Sequence, residues 1–156
     1  ISLGLVGSEM CIRDSNTMAL HEAQDCGADE ALMMDKNGFI SEGSGENIFI
    51  VKDSKIYTPT TNHCLNGITR QSIIEIAKDS TLEVIEKDIE YDELANADEA
   101  FFTGTAVEIT PITKLDNKLI SSGKRGNITY DLQKRFEDII SGKDNKFKHW
   151  LTFTKK

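Results

Sequence analysis

Apolar residues recur along this chain with two different periods. From residue 16 on, Met18, Ala19, Glu22 and Ala23 fall on a predicted short helix that stops near Gly27, a residue type that ends helices. Ala31 to Met34 reads as a short buried strand, and 35–38 (Asp-Lys-Asn-Gly) turns it into Phe39-Ile40-Ser41. The run 47–51 (Asn-Ile-Phe-Ile-Val) reads as a strand, turned by Asp53-Ser54-Lys55 into Ile56-Tyr57-Thr58, with a loop over 59–66. Residues 69–78 give the best helical period, with Ile73, Ile74 and Ala77 on one side. Strands are expected at 82–86 and 99–102, one or two helical turns at 91–95, and strands 109–115 and 118–120 about an Asp116-Asn117 turn. A last helix over 128–140 carries Leu132, Phe136, Ile139 and Ile140 on one apolar face, and ends at Gly142. No repeat or linker interrupts the pattern, which predicts one mixed α/β domain.

The opening differs. Residues 1–15 show no clear period and resemble translated adapter sequence, so they are set apart as a non-native or unstructured lead-in. The domain is expected over 16–156.

Composition narrows the function classes. A chain of 156 residues that is 38% hydrophobic and 28% charged suits one soluble globular domain. The net charge of -8 argues against nucleic acid as a main partner. Residues 114–156 are locally basic, with 11 Lys and Arg against 5 acids, but their lysines interleave with acids and lack an aromatic platform. No apolar run approaches the roughly 18 residues of a membrane span. Cys11, Cys26 and Cys64 are widely spaced, which favours reduced thiols in a cytoplasmic protein over a disulfide framework or a zinc site.

Three places carry candidate chemistry. Glu42 lies between Ile40 and the small residues Gly43, Ser44 and Gly45, just ahead of an apolar strand. A carboxylate there needs a partner, or else it is an exposed acid in a turn. Gly67-Ile68-Thr69-Arg70 opens the strongest helix, where free amides and the helix dipole favour a phosphate, or where Thr69 caps in the ordinary way. Thr103-Gly104-Thr105-Ala106 offers hydroxyls and amides to an anion, or simply ends a strand.

Taken together, Glu-x-Ser-x-x-Asn-Ile-Phe at 42–49, Ile56-x-Thr58 and Leu65-x-Gly67-Ile68-x-Arg70 resemble the signature of the class IV pyridoxal-phosphate aminotransferases. The similarity extends over about 16–151, the large C-terminal domain of such an enzyme. Within the class, the blocks 98–106 and 123–129 and His149-Trp150-Leu151 look most like branched-chain amino acid aminotransferases.

The resemblance implies a fold-type IV large domain, with a β-rich pseudo-barrel core and flanking helices. It implies pyridoxal 5′-phosphate as cofactor, amino acid and 2-oxo acid substrates, and a homodimer or larger homo-oligomer. By the same resemblance Glu42 contacts the pyridine nitrogen, and the Ile68 N–H and Thr69 hold the phosphate. Thr105 adds a phosphate contact and, with Ala106, donors for the substrate carboxylate. Glu46 and Asn47 are expected to give structural support. The family's reactive lysine, on the segment before the first helix, would fall at Ser8, and a following tyrosine at Arg13. Lys36 sits in a hairpin turn and is not promoted in their place, so no catalytic residue is assigned and the chain alone is expected to be inactive. The family's small N-terminal domain has no counterpart here. The alternatives are a D-amino acid aminotransferase or aminodeoxychorismate lyase of the same class, and a non-catalytic fragment or interaction module.

Overall fold

The computed structural model describes residues 6–154, with side chains from residue 14 onward. Its centre is β3 (Asn47–Lys52), buried on both faces along almost its whole length. That explains why the segment is a continuous apolar run with no polar alternation. β3 lies between β4 (Lys55–Thr58) and β6 (Glu99–Gly104) and is antiparallel to both. The β3–β4 hairpin closes through Asp53 and Ser54, both at positive φ (49° and 61°), the twist a two-residue hairpin turn requires. β5 (Val84–Glu86) adds parallel to β4, and β7 (Glu108–Pro111) antiparallel to β6. The sheet order is β5-β4-β3-β6-β7.

A parallel pair needs a crossover, and α2 (Ile68–Asp79) supplies it between β4 and β5. Ile73, Ile76 and Ala77 of α2 and Leu132 and Ile139 of α4 (Asn127–Ile140) pack with Phe49, Val51, Ile56 and Phe101 on one face of the sheet. The Phe49 and Phe101 rings stack there at 5.1 Å. Ile48, Ile50 and Ala100 point the other way, into a second core with Ile40, Ile89, Leu94 and Leu115. Each buried Val, Leu, Ile or Phe among these contributes about 1.5–3 kcal/mol relative to exposure.

Two ribbons flank this sheet: β1 (Leu32–Met34) with β2 (Ile40–Gly43), and β8 (Lys114–Leu115) with β9 (Lys118–Leu119). The Ile40–Ile89 bridge ties the first ribbon to the segment after β5. The expected pseudo-barrel takes the form of this mixed sheet with its two ribbons. The short α3 (Tyr91–Ala95) is fixed by a capping box of Glu90 and Glu93.

Glu99 explains two sequence blocks at once. Its carboxylate accepts the Ile128 and Thr129 amides at 3.0 and 2.8 Å and the Thr129 hydroxyl at 2.7 Å, which caps α4. A Cβ on Gly126 would lie 1.9 Å from the Glu99 Cδ, so this close approach requires glycine. The 98–106 and 123–129 blocks are therefore two halves of one contact.

Several expectations are corrected. The first helix, α1, runs Val6–Asp25 and so begins before residue 16, where the regular pattern placed its start; residues 1–5 lie outside the described residues. Met34 is exposed, as is Ile140, because β1 belongs to a flanking ribbon and α4 turns Ile140 away from the sheet. The strand expected over 109–115 divides into β7 and β8, separated by Ile112 and Thr113. No helix among the described residues is long and apolar enough to cross a membrane.

Candidate functional site

The strand directions bring the chemistry to one edge of the sheet. β3 starts at that edge, while antiparallel β4 and β6 end there. The β4 exit leads through the 59–67 loop into the first turn of α2, and the β6 exit leads into the Thr105-Ala106 turn. Anion and cofactor sites of α/β proteins favour such strand ends.

Glu42 lies within β2, not in a turn, and is half-buried. Its Oε2 accepts the Leu65 amide at 2.9 Å and, at 3.4 Å, the Asn47 side-chain amide. Among the described residues Oε1 takes no hydrogen bond. Burial raises the Glu42 pKa above its ordinary value, and the Leu65 N–H works in the opposite direction.

Asn47 joins this acid to the helix mouth. Its Nδ2 donates to the Leu65 carbonyl at 2.7 Å, and a Cβ on Gly67 would lie 2.2 Å from its Oδ1. Gly67, at φ −64°, is therefore demanded by space and not by backbone conformation. Gly67 is the N-cap of α2 and makes no side-chain cap, so Thr69 is not a conventional cap. The amides of Ile68 and Thr69 sit in the first turn, where a helix leaves its N–H groups unpaired. Ile68 and Leu65 expose their side chains, whereas Thr69 is half-buried.

Across β3, Asn47 is paired with Thr103, whose buried Oγ1 has no hydrogen-bond partner among the described residues. Thr105 and Ala106 follow in an exposed turn. The structure thus brings Glu42, the α2 mouth and the end of β6 to one corner through Asn47.

Arg70, the last signature residue, does something sequence reasoning missed. It is 2% exposed, its Nη2 donating to the Pro59 carbonyl at 2.9 Å and to Glu86 at 2.6 Å. It pins the loop before α2 to β5, and a change that orphans a buried charge of this kind costs about 3–5 kcal/mol. The signal was present in the sequence as the Leu65-x-Gly67-Ile68-x-Arg70 spacing, but its partners lie far along the chain. Cys64 is a free thiol in the same loop, its pKa pushed up by burial.

Ser8 and Arg13, where the resemblance puts a lysine and a tyrosine, fall inside α1, so Ser8 does not precede the first helix. Their side chains lie outside the described ones. Lys36 is exposed in the β1–β2 turn, as expected. Two surface depressions of about 310 and 390 Å³ are lined mainly by α4 residues and share none with the Glu42 corner. Hydrogen bonds and strand order, more than surface concavity, single out that corner.

Residues 10–115 match the amino-transferase class IV family. The chain belongs to that family. It is 50% identical over 141 residues to the branched-chain-amino-acid aminotransferase of Pseudomonas aeruginosa, covering 90% of this chain and 46% of the relative. Among solved structures it is similar to the branched-chain amino acid aminotransferase of Thermobaculum terrenum in its PLP-form (holo-form). The TM-score is 0.87 at 36% identity, over 90% of this chain and 46% of that one. The branched-chain aminotransferase of Thermoproteus uzoniensis with norvaline gives 0.86 at 44% identity, over 90% and 46%. The chain therefore spans just under half the length of these relatives, and its mixed sheet is that of fold-type IV aminotransferases.

Proposed function

We propose that residues 16–156 form the cofactor-binding large domain of a branched-chain amino acid aminotransferase, which moves the amino group of leucine, isoleucine or valine to 2-oxoglutarate. The observation that carries this is the Glu42 corner: a half-buried acid with one oxygen uncommitted among the described residues, joined through Asn47 to a helix mouth with no side-chain cap. The branched-chain names of the relatives support the substrate class.

These residues fit pyridoxal 5′-phosphate at both ends. Glu42 Oε1 would accept the ring N–H, and a cationic partner there would offset the desolvation that raises its pKa. The Ile68 amide and Thr69 hold the phosphate with the help of the α2 dipole. Thr105 adds a hydroxyl to the phosphate, and with Ala106 it offers amides to the substrate carboxylate. When bound, the cofactor supplies an electron-withdrawing ring that lets the amino acid release its α-proton. The chain's part is to keep that ring cationic and its phosphate fixed. The moving of the proton itself is not assigned to any described residue. We place the protein in the cytoplasm, as a homodimer or larger homo-oligomer.

The subtype is tested by assaying the longest reading frame that contains these residues. Amino transfer to 2-oxoglutarate is expected from L-leucine, with D-alanine at least about 100-fold poorer in kcat/KM, a difference of about 2.7 kcal/mol in transition-state binding. Activity with D-alanine but not L-leucine would replace the branched-chain reading with a D-amino acid aminotransferase.

A further inference from the structure

The sequence contains two Asn-Gly pairs, Asn37-Gly38 and Asn66-Gly67, and the structure places them in opposite electrostatic surroundings. Asparagine is among the thermolabile residues. The next residue's backbone nitrogen can attack the side-chain amide, and a glycine there offers no Cβ to shield that nitrogen. In the β1–β2 turn, Asn37 Nδ2 donates to the Asp35 carboxylate at 3.3 Å, and the Asn37 amide donates to the same carboxylate at 2.8 Å. The Gly38 amide is taken by the Asp35 carbonyl at 3.0 Å. A negative charge thus stands beside the amide that must gain negative charge when attacked.

Asn66 meets the opposite charge. Its Oδ1 accepts Arg70 Nη1 at 3.5 Å, so a guanidinium faces the oxygen that takes up charge as Cγ is attacked. Arg70 is itself held in place by Pro59 and Glu86. Asn66 is exposed and lies directly before the N-cap of α2. The Gly67 amide donates to the Leu65 carbonyl at 2.9 Å, two residues back, so freeing it breaks no helix or strand bond. A Cβ on Gly67 would lie 2.2 Å from Asn47 Oδ1, so a hindered residue has no room there. The packing that fits the helix mouth against Asn47 therefore keeps Asn66 next to a glycine.

We propose that Asn66 is a self-modification site, whose conversion to an acid places a carboxylate at the mouth of α2 and weakens phosphate binding there. The Gly67 nitrogen gives up its proton and bonds to Asn66 Cγ, the Cγ–Nδ2 bond breaks, and ammonia leaves. The cyclic imide then takes up one water and opens at either carbonyl, giving aspartate or isoaspartate. The new charge lies just before the Ile68 and Thr69 amides. It repels a phosphate, whereas it attracts Arg70 and suits the positive end of the helix dipole. The fold is kept and the ligand is lost. The effect on binding rests on the cofactor reading of the corner, whereas the modification itself does not.

The full chain is incubated at pH 8.5 and sampled for peptide mass mapping, thermal melting and calorimetric titration with pyridoxamine 5′-phosphate. Asn66 is expected to convert about fivefold faster than Asn37, and affinity should fall in step with that conversion. Fresh Asn66→Asp should bind about tenfold more weakly than wild type, a change of about 1.4 kcal/mol, yet melt no lower. Asn66→Gln, whose longer side chain closes such a ring far more slowly, should bind as fresh wild type does and keep its affinity through the same incubation. Conversion at Asn37 ahead of Asn66 overturns the proposal, as does an Asn66→Asp variant that binds as wild type does. An Asn66→Asp variant that melts several degrees lower overturns it too, because the lost affinity is then lost folding. Fresh wild type that ignores the probe overturns the cofactor reading instead, and the order of conversion at Asn66 and Asn37 still decides the modification site.

Discussion

Replacing Glu42 with glutamine is expected to weaken binding of pyridoxamine 5′-phosphate about 10- to 100-fold, the worth of one charge-assisted hydrogen bond of about 1.5–3 kcal/mol. Calorimetric titration of wild type and variant measures it. The same substitution should leave the unliganded protein at least as stable as wild type at pH 7. The sign follows from burial. Glu42 has its pKa raised in the folded chain, so its ionised form is disfavoured there, and stability falls as pH rises through the folded value. Glutamine removes that cost and can still accept the Leu65 amide. A variant that binds worse yet melts no lower marks a residue kept for a ligand at the expense of stability. A variant that melts several degrees lower and binds normally would make Glu42 a structural acid, holding the Leu65 loop and nothing more.

The second large effect is at Gly67. Alanine there would bring a Cβ within 2.2 Å of Asn47 Oδ1, so one of the two residues must move. Asn47 has little freedom: it is 5% exposed and its Nδ2 is committed to the Leu65 carbonyl. Gly67→Ala is expected to cost about 1–3 kcal/mol, as overpacking does, and to displace the first turn of α2 from Asn47. Chemical denaturation measures the cost. Asn47→Ala in the same chain opens the space, so the double variant should be less destabilised than the sum of the two single changes. Strict additivity would show that the two residues do not meet at the helix mouth.

Both predictions concern residues that sequence alone could nominate but not connect. The apolar run of β3 was legible because a central strand buried on both faces needs apolar side chains at every position. α2 and α4 were legible from their helical period, and the 53–55 turn from its turn residues. What escaped was long-range. Met34 and Ile140 look like core residues by type, but the ribbon and helix they belong to turn them outward. Nothing local in residues 6–15 marks them as helical, so α1 was begun too late. Arg70 reads as one more basic side chain until its partners Pro59 and Glu86 are known. The 98–106 and 123–129 blocks could be set side by side only as patterns, because the cap from Glu99 to Thr129 spans thirty residues.

The candidate residues Glu42, Ile68, Thr69, Thr105 and Ala106 came from a resemblance, and the fold supplies a reason for their gathering. Strand β4 leads to the α2 mouth and β6 to the 105–106 turn, both at the edge where β3 begins. Asn47, at that first position of β3, touches the systems on either side. Glu42 meets it through the Leu65 loop, and Gly67 is kept small to fit against it. A sequence motif that spans 42–70 is thus one connected arrangement of hydrogen bonds.

The claim that this corner grips both poles of a phosphorylated pyridine is tested most directly by amide NMR of the ¹⁵N-labelled chain. Pyridoxamine 5′-phosphate should shift the amides of Leu65, Ile68, Thr69, Thr105 and Ala106 with one saturable curve. Pyridoxamine without phosphate, added at high concentration, should still move Leu65, which donates to Glu42, and leave Ile68 and Thr69 in place. Shifts confined to other parts of the chain, or no shift at any of the five amides, would contradict the account.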